Sequence, residues 1–292
     1  MKKITVLSGK GGVGKSTITA SLAVVLARKK KIVVADCDVD APNLALVLGL
    51  KDKDFRKWDK IETSEKAIIV NEQGLDCERI EEACYFGAIS CKGKNTIIYR
   101  LLCEGCGVCQ LMEPKAISLV KAENGKIGIG KTKYGFSIVS GQLKMGESGS
   151  GKIVSLVRGK ASQIAKKEGA ELILADAAAG IGCPVIASVV GSDYVVAVTE
   201  PTPSAFSDLK RALDVVKHFG IKSGIVINRH DINKKITKEI ERFAANELLK
   251  VIGKVPYDRK FVEALVNLEP IVVYEQSYEE LFLNIINAME VV

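Results

Sequence analysis

The chain has 292 residues, enough for one large domain or two modest ones. Hydrophobic residues make up 47% and charged residues 26%, the balance of an ordinary soluble globular protein. The net charge of +7, from 42 basic and 35 acidic residues, is too mild to mark a nucleic-acid surface. Its densest basic run, Arg28 to Lys31, follows an apolar helical pattern and reads as a solvated helix C-terminus.

The opening "MKKITVL" is charged, but a glycine-rich turn interrupts its apolar run at once, so no export signal is expected. The weakly polar stretch from Ala177 to Val190 is too short to cross a bilayer and contains Gly and Pro. "YEELFLNIINAMEVV" is amphipathic but acidic and reads as a packing helix. A cytoplasmic protein with no clear membrane or nucleic-acid partner is therefore expected. Six of the eight cysteines crowd between Cys77 and Cys109, which favours metal ligation over disulfides.

In chain order, β-branched runs each end in a polar or glycine-containing segment. "KITVLSG" leads into "KGGVGKST", "KIVVAD" into "CDVDAPN", "ELILAD" into "AAAGIG", and "YVVAVTE" into "PTPSAF". "GIVIN" and "VIGKVP" close the series, and helical patterns follow several runs, as in Ser16 to Lys30 and Ser207 to Phe219. Aromatics are sparse, and the Val, Ile, Leu and Ala content suits buried strands. The alternation predicts an α/β fold with a mostly parallel sheet flanked by helices, and ligands beyond the strands' carboxyl ends. Residues 61–122 break the rhythm with two similar units, each an apolar run, a cysteine-bearing turn and helix, then an "AI" strand. They are expected to form an inserted, duplicated module, leaving 1–60 and 123–292 as the larger domain.

"GKGGVGKS", Gly9 to Ser16, sits between a predicted strand and a predicted helix and matches a phosphate-binding P-loop. Gly11, Gly12 and Gly14 let the backbone curl its N–H groups onto a polyphosphate, and Val13 and Thr17 complete the nucleotide-facing turn. Lys15 would neutralise the β- and γ-phosphates, and Ser16 would offer its hydroxyl to Mg²⁺. Asp36, Asp38 and Asp176 stand at strand ends, where carboxylates beside phosphates need a cation.

With Lys10 inside the loop, "KGGVGKST" resembles the deviant P-loop of the MinD/ParA/Mrp superfamily. "DCDVDAPN", "DAAAGIGCPVIAS", "TEPTPS" and "VPYD" extend the resemblance over nearly the whole chain. It implies an ATPase, slow and partner-stimulated, that dimerises on ATP, with Lys10 reaching the partner's nucleotide. It also implies Asp38 as the residue positioning the attacking water, Asp36 and Asp176 in the Mg²⁺ shell, and Asn228 and Pro256 against the adenine.

"LLCEGCGVCQLMEP" resembles half of a two-cluster ferredoxin, in which each run's fourth cysteine ligates the other run's cluster. In that register the first run reads Gly74, Cys77, Ile80, Cys84 and the second Cys103, Cys106, Cys109, Glu113. Exchanging the fourth ligands leaves one complete set, Cys84, Cys103, Cys106 and Cys109, and one lost set. One [4Fe–4S] cluster is expected; Zn²⁺ in the same cysteines, an empty thiol nest, and Cys91 as a competing fourth ligand are the alternatives. Cys37 and Cys183 read as small buried hydrophobes.

The chain as a whole resembles a MinD-type ATPase containing an inserted ferredoxin domain. Its nucleotide-dependent dimer would be coupled to electron transfer, redox sensing, or iron–sulfur or metal-cofactor assembly. The dimer could pair like with like or with a paralogue, and the partner would be a redox or cofactor-assembly protein. The alternatives are a MinD/ParA-like spatial organiser with a structural cluster, and a scaffold with a vestigial ATPase.

Overall fold

Short Val-, Ile- and Ala-rich runs assemble, in this computed structural model, into a nine-stranded sheet with the P-loop strand near its middle. The structure describes residues 1–93 and 95–290. The strands are β1 (Lys2–Ser8), β2 (Ile32–Cys37), β3 (Phe55–Ile61), β4 (Ser64–Ile69), β5 (Ile89–Lys92), β6 (Asn95–Ile98), β7 (Ile117–Ala122), β8 (Gly125–Lys131), β9 (Ser137–Leu143), β10 (Leu172–Ala179), β11 (Tyr194–Thr199), β12 (Ser223–Asn228) and β13 (Lys250–Val255). The helices are α1 (Lys15–Ala27), α2 (Leu44–Val47), α3 (Cys77–Ala83), α4 (Val108–Met112), α5 (Ser150–Glu168), α6 (Cys183–Val189), α7 (Pro203–His218), α8 (Lys234–Asn246), α9 (Lys260–Val266), α10 (Ile271–Tyr274) and α11 (Glu279–Ala288).

The sheet order is β13-β12-β11-β1-β10-β2-β9-β8-β3. From β13 through to β9 every neighbouring pair is parallel. Strands such as β2 and β11 are buried along their whole length, because helices cover both faces. One core joins α1, α11 and one face of the sheet, with Ile18, Leu22 and Phe282 fully buried. The other joins α6, α7 and α8 to the opposite face. Thr202 and Asn233 cap α7 and α8 by accepting the backbone N–H three residues on. Among the described residues, no helix is long and apolar enough to cross a membrane.

The chain divides into two compact units. The larger comprises 1–58, 127–142 and 150–292; the smaller comprises 59–126 together with 143–149. Within the smaller unit the two similar sequence runs become two strand–helix–strand halves, β4-α3-β5 and β6-α4-β7. Their outer strands, β4 and β7, pair antiparallel, as do their inner strands, β5 and β6. The apolar centre holds Ala67, Ile80, Ile89 and Ile117, all buried. Ile80 is fully enclosed, so the position that would carry a cysteine in an intact repeat serves packing instead.

Candidate functional site

In the larger unit, β1 ends at Ser8 and α1 begins at Lys15, and the glycine-rich turn lies between them. Gly12 and Gly14 adopt φ of +83° and +89°, a left-handed conformation that side chains disfavour. A Cβ on Gly14 would stand 2.4 Å from Asn228 Nδ2. That amide donates to the Val13 carbonyl at 2.8 Å, so Asn228, at the end of β12, braces the loop. Pro256 directly follows β13, the neighbouring strand, and is half-buried. Gly11 and Gly12 lie exposed with open space where a Cβ would go, an approach route for phosphate.

The parallel register sets the acids side by side. Asp176 on β10 is aligned with Val6 of β1 on one side and with Asp36 of β2 on the other. Asp176 is fully buried and accepts hydrogen bonds from Ser16 Oγ at 2.6 Å and Thr19 Oγ1 at 2.8 Å. Lys15 Nζ lies 2.9 Å from Asp176 Oδ1 and 3.7 Å from Asp38 Oδ2. Burial works against the Lys15 charge, but Asp176 and then Asp38 outweigh it and raise its pKa. Burial, then the Asp176 charge, pushes Asp36 well above the usual carboxylate range. Asp38 is raised too, by burial, with Lys15 opposing.

Three carboxylates thus face one ammonium, and the surplus negative charge suits a divalent cation. The Ser16 hydroxyl in contact with Asp176 offers the hard oxygen donors that Mg²⁺ takes. Thr19 was not anticipated, though its place one turn after Lys15 on α1 could have suggested it. Lys10 Nζ points away from this network and donates to Ser204 Oγ at 2.8 Å, on the exposed surface.

In the smaller unit, Cys84, Cys103, Cys106 and Cys109 line one small cavity, together with Phe86, Ile98 and Leu119. Cys84 arrives from the C-terminal end of α3, Cys103 and Cys106 from the turn leading into α4, and Cys109 from the first turn of α4 itself. That turn needs glycine: Gly105 has φ +67°, and a Cβ there would meet the Glu65 carbonyl oxygen at 2.2 Å. Backbone N–H groups of Ala67 and Ala88 point at the sulfurs of Cys103 and Cys84, each at 3.3 Å. Such donors stabilise sulfur that carries charge. Burial raises the Cys109 thiol, and neighbouring Cys103 and Cys106 add to it. Four soft donors around one cavity fit an iron–sulfur group. Among the described residues no three His, Cys, Asp or Glu gather as they would around a single ion.

Two cysteine expectations are corrected. Cys77 and Cys91, expected as thiols outside the complete set, with Cys91 a competing ligand, are joined in a disulfide. The β5–β6 hairpin brings Cys91 beside the start of α3, with Cα atoms 5.9 Å apart, inside the range a disulfide spans. Cys183, expected to be buried, is exposed at the first turn of α6. Cys37 is fully buried, and burial pushes its thiol up to about 12.

A Walker-type loop at the end of a central strand, with a buried acid on the adjacent strand, defines a P-loop nucleotide-binding protein. The chain belongs to the CobQ/CobB/MinD/ParA nucleotide binding domain family, whose pattern matches residues 4–271. Uncharacterized protein MJ0578 of Methanocaldococcus jannaschii is 36% identical over 266 residues, spanning 91% of this chain and 88% of its own. A second protein of that organism, uncharacterized protein MJ0579, is 32% identical over 275 residues, 94% of this chain and 93% of its own. The fold matches the MinC:MinD cell division protein complex of Aquifex aeolicus at a TM-score of 0.60 and 19% identity, covering 99% of this chain and 96% of that one. Similarity to the iron-sulfur cluster carrier protein of M. jannaschii, 51% identity, is confined to 51 residues, 17% of this chain and 18% of the carrier.

Proposed function

We propose that this protein is an ATP-hydrolysing, dimerising switch of the MinD type whose smaller unit carries one [4Fe–4S] cluster. In this reading the smaller unit is an inserted ferredoxin domain. The nucleotide state would govern electron transfer, redox sensing, or assembly of an iron–sulfur or metal cofactor with a partner protein. The observation that carries the reading is the presence, in one chain, of the Lys15–Asp176–Ser16 network and a cavity lined by four cysteines.

On ATP binding, Lys15 would turn from Asp176 and Asp38 to the phosphate oxygens, and the loop amides from Gly11 to Thr17 would cradle them. Ser16, Asp176 and Asp36 would hold Mg²⁺, which when bound offsets the phosphate charge. Asp38, one-fifth exposed at the cleft edge, would orient the attacking water. Lys10, on the exposed surface, is free to leave Ser204 and act on the nucleotide of a partner, a second copy or a paralogue. Asn228 and Pro256 would border the adenine. Cys84, Cys103, Cys106 and Cys109 would hold the cluster, which supplies one exchangeable electron.

Iron, sulfide and the visible spectrum of anaerobically purified protein test the cluster. Cys84→Ala is expected to bleach it and Cys77→Ala to leave it; the reverse pattern overturns the ligand set. Dimerisation measured with ATP and ADP, in wild type, Lys10→Ala and Asp38→Ala, tests the switch. A wild-type association state indifferent to nucleotide removes it.

A further inference from the structure

Two consecutive residues of β4 grip Cys103 at two atoms. The Ala67 N–H points at its sulfur, and Lys66 Nζ donates to its carbonyl oxygen at 2.7 Å. Lys66 is an unusual residue for that place, because its side chain is only 3% exposed. Its counter-ion is Glu147, also 3% exposed, with Oε2 at 3.2 Å from Nζ. Arg100 Nε stands 3.9 Å from the other Glu147 oxygen, and Oε2 accepts no aligned hydrogen bond among the described residues.

A buried ion pair is a costly way to hold a strand, since apolar side chains of similar size hold it as well or better. What such a pair does that apolar side chains cannot do is impose a directed field. Here the field has a definite sense. The ammonium touches the main chain of a cavity-lining cysteine, whereas the carboxylate touches the ammonium and does not itself line the cavity. An iron–sulfur group gains one negative charge when reduced, and its potential responds to nearby net charge and hydrogen bonds.

We propose that Lys66 is a positioning residue that fixes Cys103 and biases the cluster toward its reduced form, with Glu147 as the counter-charge that limits the bias. This rests on the cluster reading above.

The test is a spectroscopically monitored redox titration of the intact, cluster-loaded chain in wild type, Glu147→Gln, and the double variant Lys66→Met with Glu147→Gln. Glu147→Gln removes the opposing charge, and its reduction equilibrium is expected to shift about tenfold toward reduced, about 59 mV for a one-electron couple. The double variant, which leaves no buried charge unpaired, is expected to fall below wild type in the opposite direction. Iron and sulfide content of all three proteins separates the two levels of the argument. Wild type without a cluster defeats both readings. Loaded proteins whose three potentials coincide defeat this inference alone and leave the proposed function standing.

Discussion

Asp176 and Lys15 form the most consequential contact of the nucleotide site before nucleotide arrives. Their charges sit 2.9 Å apart with side chains 0% and 6% exposed. At an effective dielectric near 20 the attraction is about 6 kcal/mol, and at the 3.7 Å separation of Asp38 it is about 4 to 5 kcal/mol. Desolvation of the buried pair consumes most of that gain, so the pair's net worth is small. Breaking it is different, because the survivor stays buried. Asp176→Asn, which keeps the volume and can still accept from Thr19, is expected to destabilise the nucleotide-free protein by about 3 kcal/mol, and Lys15→Met by a similar amount. The double variant should cost far less than the two together, with a coupling of about 2 to 3 kcal/mol. Urea unfolding followed by fluorescence of Trp58, the single tryptophan and a residue of the larger unit, reads this directly. Strict additivity of the single variants would refute the view that the two charges answer each other in the resting site.

Asn228→Ala removes the brace on the Val13 carbonyl, a bond worth about 1 kcal/mol, and should weaken ATP binding about fivefold in calorimetry. In native protein at mildly alkaline pH, iodoacetamide should modify exposed Cys183, while Cys37, buried and with its thiol raised to about 12, stays protected until the fold opens. The Cys77–Cys91 bridge closes a loop with a sequence separation of 14, so Cys77→Ser with Cys91→Ser should lower the smaller unit's stability by about 3 kcal/mol, read by limited proteolysis within 59–126. Gly105→Ala should lower iron content, because the new methyl would run into the Glu65 carbonyl.

The P-loop was legible because its chemistry is local: eight adjacent residues make the turn, the charge and the helix start. The alternation of strands and helices was equally plain, since strands covered on both faces read as short apolar runs. Asp176 could be picked out because the apolar run of β10 leads straight to it. What was not legible depends on neighbours distant in sequence. Lys66 sits between Glu65 and the apolar run of β4, and Glu147 in a stretch rich in Gly and Ser, so neither local sequence marks a buried charge. Only the tertiary fold buries them together. The Cys77–Cys91 bridge was missed for a related reason: the ferredoxin register assigns each cysteine by its place in the repeat, whereas a hairpin outside that register supplies the actual partner.

The smaller unit draws on two separate tracts, and this orders events during synthesis. By the time Cys109 leaves the ribosome every candidate sulfur is already present, yet Glu147 is still to come. Lys66 then still lacks its counter-ion, which arrives only with the second tract of the smaller unit, 143–149. A half-made chain therefore holds all four cavity-lining cysteines without the buried ion pair beside Cys103, and the smaller unit should reach its final fold only after residue 149 has been translated.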